Sequence, residues 1–289
     1  MTNLPFLPAI MTTANLACGV LSCVFALNDA LRLEGYKDVL SPFAASAWLI
    51  VAAVVFDALD GLVARKTKSE SRFGIEYDSL ADVVSFGMAP ALLLYVAVLR
   101  LPEYGRFGWL FVLMYVVCGA IRLARFNTMA ANGSTGKFFL GLPIPAAAGL
   151  LTSYVLFSMW GEWHVVDQGA VFNKMMGWYQ QRITYVNRVI LPLGMALVSL
   201  LMVSTIEYPK VHQVAVKGRV PFPVFVVSSL ILVLFALAPL PVGSFFMFVT
   251  YVGWGLVNTV FQRGAQHVKT AETGRRLEHQ QVVHGPQGR

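Results

Sequence analysis

The sequence predicts an all-α polytopic membrane protein. Of its 289 residues, 57% are hydrophobic and only 13% are charged, and the mean hydropathy is +0.64. A soluble domain carries roughly 25% charged residues, so this chain could not cover its own surface in water. Apolar stretches near the ~20 residues needed to cross a bilayer recur along it.

Eight membrane segments are expected, at about 8–27, 43–64, 77–99, 107–125, 143–160, 185–205, 220–239 and 241–262. The first contains Thr12, Thr13 and Asn15 and lacks the basic flank of a secretory signal, so it is read as a retained helix. The second ends in the acidic run that begins at Asp57. The third holds Gly87 and Pro90, which predict a kink or a break. The fourth closes on Arg122 and Arg125. The fifth starts at Pro143 and Pro145, where a first helical turn tolerates proline. The sixth, seventh and eighth are plain apolar runs. Between the fifth and sixth, residues 161–184 have mixed polarity and fit either an interfacial amphipathic helix or an extracytoplasmic loop. Three regions follow: 1–210, a C-terminal transmembrane hairpin at 211–263, and a polar flexible tail at 264–289.

The net charge of +7 could point to nucleic acid, but the basic residues are dispersed between apolar stretches. No aromatic-interleaved basic patch is present, so no nucleic-acid partner is expected. Lys and Arg read here as determinants of topology and as lipid-phosphate contacts. With the N-terminus in the cytoplasm, 15 of the 22 lie on the cytoplasmic side. Both termini, and the acidic run, are therefore expected at the cytoplasmic face. Cys18, Cys23 and Cys118 fall in apolar segments without pairing or ligand spacing and read as buried apolar thiols. The five histidines are scattered through loops and tail and form no metal motif.

The chemistry concentrates between Asp57 and Asp82, in DALDGLVARKTKSESRFGIEYDSLAD. Asp57 and Asp60 are three residues apart, and Asp78 and Asp82 four apart. On helices each pair shares a face, with Cβ atoms about 5–6 Å apart. An aspartate near the bilayer core costs roughly 3 kcal/mol, and four anions together repel, so a cation must hold them. Divalent Mg²⁺ or Mn²⁺ prefers such carboxylate oxygens. Gly61 and Gly74 permit close approach of a nucleotide or of a neighbouring helix. Arg65 can fork onto a phosphate or serve as a positive-inside anchor.

Asp57, Asp60, Gly61, Ala64, Arg65, Gly74, Asp78 and Asp82 follow D-x2-D-G-x2-A-R-x8-G-x3-D-x3-D without a departure. This pattern resembles the signature of the CDP-alcohol phosphatidyltransferases. The resemblance implies a core of six helices in a homodimer, extended here by about two C-terminal helices, with 1–210 as the catalytic domain. It implies two divalent ions, Mg²⁺ or Mn²⁺, on Asp57, Asp60, Asp78 and Asp82, with Asp82 as the base that deprotonates the incoming alcohol. By the same resemblance Asn15, Asp57, Gly61, Ala64, Arg65, Ser71, Gly74 and Asp78 would bind CDP-diacylglycerol.

Further segments narrow the acceptor. VVSFGMAPALLLY after Asp82, GAIRLARFN at 119–127, FLGLPIPAAAG at 139–149 and LMVSTIEYP at 201–209 resemble the phosphatidylserine synthase branch. So does LPFLPAIMTTANLACG, apart from Phe6, where that branch often has asparagine. This similarity, over most of residues 5–210, implies transfer of a phosphatidyl group from CDP-diacylglycerol to L-serine, with release of CMP. A compact chain lacking targeting signals fits a prokaryotic inner membrane. Arg122 and Arg125 share a face and suit a lipid phosphate or an amino-acid carboxylate, with Asn127 beside them. Ser85 could contact serine or satisfy a helix carbonyl. The ammonium contact stays unassigned. The rival readings are the same chemistry on glycerol phosphate, inositol phosphate or phosphatidylglycerol, and a cation transporter using the aspartates as ligands.

Overall fold

A computed structural model describes residues 6–31, 42–67, 71–99, 107–131, 138–163, 189, 191–209 and 240–256. The described residues are almost entirely helical: α1 (Phe6–Leu31), α2 (Pro42–Thr67), α3 (Arg72–Asp82), α4 (Ala89–Leu94), α5 (Gly108–Ala131), α6 (Ile144–Trp163), α7 (Leu191–Val203) and α8 (Leu240–Leu256). Among the described residues, four helical spans are long and apolar enough to cross a bilayer: Ala9–Asn28, Phe43–Val63, Arg72–Ala97 and Gly108–Ala131. The protein is an integral membrane protein. The expected segment 220–239, the tail at 264–289, the histidines and most of 161–184 lie outside the described residues.

The distribution of side chains suits lipid as solvent. Val20, Val24, Val55, Leu113, Ile121 and Leu197 point outward, whereas Thr12, Asn15, Ser22, Ser46, Ser85 and Arg122 are buried. With hydrocarbon outside, polar groups gain by turning inward to partners. The buried stripe of α1 shows how: Thr12, Asn15, Gly19, Ser22 and Ala26 recur at alternating spacings of three and four. These small side chains let α1 lie close against α2 and α3, as small residues do between membrane helices. Ser22 and Ser46 interlock across α1 and α2, with hydroxyl oxygens 2.8 Å apart and each also donating to the other's carbonyl. At Gly19 a Cβ would stand 2.7 Å from the Ser85 Cα, so only glycine admits this contact.

The third segment departs from its expected form. It starts at Arg72, five residues before the expected start at 77, because Ser71 caps it: the Ser71 hydroxyl accepts from the Gly74 N–H at 3.0 Å. Its first turns are too polar for hydropathy to mark. Nor does the helix break at Gly87 and Pro90. It widens into a π-helical turn, Val83–Met88, in which the Ala89 N–H reaches the Val84 carbonyl five residues back, and runs on through α4. Proline supplies the reason: Pro90 has no N–H for the Phe86 carbonyl. The Tyr115 hydroxyl of α5 donates to that carbonyl instead, at 3.1 Å.

One short ladder interrupts the helices. Phe138–Leu140 (β1) pairs antiparallel with Glu207–Pro209 (β2), with Phe139 opposite Tyr208. Gly141, at φ +80°, turns the chain from β1 towards α6. The Gly141 and Leu142 N–H groups bond to the Ile206 and Leu201 carbonyls, at 2.8 and 3.0 Å. Helix α8 docks on α6, where Phe245 stacks on Phe157 with centroids 5.2 Å apart.

Candidate active site and metal centre

The four aspartates converge from two helices. Asp57 and Asp60 lie on one face of α2; Asp78 and Asp82 lie one turn apart at the end of α3. Asp57, Asp60 and Asp78 each place a carboxylate oxygen within 4.8 Å of the other two. Asp82 stands outside this trio, 7% exposed, and its Oδ1 accepts from the Asn15 side-chain amide at 3.3 Å. Asp60, 6% exposed, accepts from the Thr12 hydroxyl at 3.0 Å. Helix α1 therefore sends one donor to each acidic helix.

These oxygens fit a hard divalent cation. The set is all carboxylate, and Asp78 Oδ1 is buried without a hydrogen-bond partner, so it keeps a lone pair directed at no protein donor. Three clustered anions, partly withdrawn from water, need such a charge.

Arg122 and Arg125, three residues apart on α5, do different work. Arg122 is 6% exposed, its guanidinium lies over the Phe126 ring at 5.6 Å, and its Nε has no partner. Its charge acts on Asp82 and on Asp57. Arg125 instead donates to the carbonyls of Leu140, Val203 and Ser204 at 2.8, 3.0 and 3.1 Å. It caps the end of α7, where helix carbonyls lack partners. It also ties β1 to the turn before β2.

The sequence profile of the CDP-alcohol phosphatidyltransferases matches residues 5–186. The chain belongs to that family. It is 35% identical over 254 residues to the CDP-diacylglycerol–serine O-phosphatidyltransferase of Helicobacter pylori (strain J99), covering 88% of this chain and 91% of that one. Its identity to the Mycobacterium tuberculosis (strain H37Rv) protein of the same name is 35% over 246 residues, 82% of this chain and 72% of the other. The archaetidylserine synthase of Methanothermobacter thermautotrophicus is 34% identical over 213 residues, 73% and 72% of the two chains.

Within this phosphatidyltransferase, several residues expected to touch ligand have protein partners. Asn15, expected on CDP-diacylglycerol, is fully buried with its amide on Asp82. Ser71 caps α3. The Ser85 hydroxyl donates to a helix carbonyl, that of Asn15, at 2.9 Å. Asn127 donates to the Ser79 hydroxyl at 2.9 Å and ties α5 to α3. Arg125 is a clamp between elements, because three carbonyls occupy its two terminal nitrogens. By contrast, a Cβ at Gly61 would meet nothing within 4 Å among the described residues. Among the described residues, a Cβ at Gly74 would meet the Ser71 hydroxyl. The side chains of Ala64 and Arg65 lie outside the described residues.

Sequence reasoning missed Thr12 as a site residue, and Tyr115. Thr12 had a visible signal: it lies three residues before Asn15 on an otherwise apolar helix, hence on the same face. Tyr115 had none, since its partner is a backbone carbonyl.

Proposed function

We propose that this protein transfers a phosphatidyl group from CDP-diacylglycerol to L-serine, giving phosphatidylserine and CMP. The convergence of Asp57, Asp60 and Asp78 within 4.8 Å, with Asp82 bonded to Asn15 beside them, carries the reading of the chemistry. The names of the relatives, which align over most of the chain, carry the choice of serine over other alcohols.

Asp57, Asp60 and Asp78 would hold divalent metal, with Asp82 completing the set for a second ion, Mg²⁺ or Mn²⁺ in either place. Bound there, such ions supply charge that stabilises the phosphoryl oxygens and the departing nucleotide. The protein's own part is positional. Asp82 takes the proton of the serine hydroxyl, whose oxygen forms a bond to the lipid-bearing phosphorus. The bond from that phosphorus to CMP breaks, and CMP leaves. Asn15 keeps the Asp82 carboxylate in one orientation for that transfer. The open side of Gly61 leaves room for the nucleotide to approach the backbone, beside Arg65 and Ala64. Arg122 offers an unpaired, buried N–H to an anionic oxygen of lipid or serine. The excess of Lys and Arg beside the acidic run supports a site at the cytoplasmic face, where CMP leaves into water. Family resemblance supports a homodimer.

Purified protein in detergent with CDP-diacylglycerol, divalent metal and labelled L-serine tests this. Expected is CMP release that depends on both serine and metal, with label recovered in lipid. Release with glycerol phosphate or inositol phosphate but not serine would reassign the acceptor. Release with none of these would remove the enzyme.

A further inference from the structure

Helix α8 lies beyond the residues that the family profile matches, yet it reaches the side of the site where Arg122 stands. Tyr251 of α8 packs on Tyr208 of β2 with ring centroids 5.8 Å apart. Gly255, one turn on, admits the same ring, since a Cβ there would overlap Tyr208. Tyr208 is 0% exposed and its hydroxyl has no partner. Burial, with Tyr251 next to it, pushes Tyr208 up to about 12, so the hydroxyl keeps its proton and can donate. Tyr251 in turn lies near enough to Arg122 for their charges to interact.

Two buried donors, Arg122 Nε and the Tyr208 hydroxyl, are thus left unpaired on either side of Tyr251. Orphaned buried donors are costly unless something accepts from them. Both unpaired groups can donate, and an oxyanion would accept from both. Arg122 also faces Asp82, which puts that anion beside the incoming alcohol and not at the far end of the lipid. Arg125 builds the juxtaposition by pinning α5 to the Val203 and Ser204 carbonyls, just ahead of Tyr208.

We propose that Tyr251 and Tyr208, with Arg122, form the pocket that receives the carboxylate of the acceptor amino acid, so that helix α8 supplies a specificity-determining residue. The inference rests on the serine-transferase reading above. Its chemistry is oxyanion recognition, and a lipid phosphate is the other source of such an anion.

Steady-state kinetics on the full-length chain separates the sources. Tyr251→Phe and Tyr208→Phe keep the rings and remove one donor each. Each is expected to raise the serine KM about tenfold and leave the CDP-diacylglycerol KM unmoved. L-Serine methyl ester, which lacks the carboxylate charge, should inhibit the variants and the wild type equally. KM does not depend on the fraction of folded protein, so partial misfolding cannot imitate the result. Tyr251→His, which retains a ring donor, should bring the serine KM back towards wild type. If wild-type protein releases no CMP with serine, the functional reading falls and takes this inference with it. If wild type is active but the serine KM is unchanged in both variants, or only the CDP-diacylglycerol KM rises, the inference alone is overturned.

Discussion

The Asn15 amide of α1 donates to Asp82 Oδ1 of α3 at 3.3 Å, while the Asn15 carbonyl accepts from Ser85 one turn further along the same segment. One asparagine therefore holds the acid proposed as base through its side chain and the segment just beyond it through its backbone. Thr12, a turn earlier on α1, donates its hydroxyl to Asp60 at 3.0 Å.

Asp82→Asn should abolish turnover while CDP-diacylglycerol binding is largely retained. The substitution keeps the shape and the Asn15 contact but removes the proton acceptor. CMP release and equilibrium binding of the lipid nucleotide, measured side by side, check this. Unchanged CMP production would remove Asp82 from the base role.

Thr12→Val should act through Asp60. Losing an outer hydrogen bond to a metal-binding carboxylate typically costs roughly ten- to a hundredfold in metal affinity. The Mn²⁺ concentration for half-maximal activity should rise, and Thr12→Ser should restore it. The metal-induced rise in thermal midpoint gives a second readout. A Thr12→Val protein that matches wild type in both would show that the contact does not tune the site.

The two arginines should separate cleanly. Arg125→Ala strips partners from three carbonyls and should lower the thermal midpoint, by about 2–4 kcal/mol of stability. Arg125→Lys should not rescue it, because a point charge cannot fork across the Leu140, Val203 and Ser204 oxygens. Arg122→Ala should leave the midpoint closer to wild type and raise the KM for serine or lipid. The reverse pattern in these variants would exchange the two roles.

Tyr115→Phe orphans the Phe86 carbonyl and should cost about 1–3 kcal/mol. In a Pro90→Ala background residue 90 regains an N–H, so the same substitution should cost less. Denaturation of the four proteins in a double-mutant cycle measures the difference. Additive effects would mean that Tyr115 does not compensate for the proline.

Class, family and acid cluster were legible in the sequence because each depends on local pattern. Apolar runs of bilayer length need no partner to be recognised. The three- and four-residue spacings of the aspartates put them on shared helix faces wherever those helices pack. The capped start of α3 at Ser71 was missed, because the exposed Arg72 and Glu76 hide it from hydropathy.

Only the tertiary structure decided what each polar group touches. Arg122 and Arg125 differ by three residues and look alike in sequence, yet one faces the acids and the other caps a helix some 80 positions later. The pairing of β1 with β2, the π turn relieved by Tyr115 and the arrival of Tyr251 beside Arg122 are likewise contacts between distant segments. Periodicity reports the face a residue occupies on its own helix. Hydrogen-bond satisfaction inside a membrane protein depends on which other helix meets that face, and that is fixed by packing.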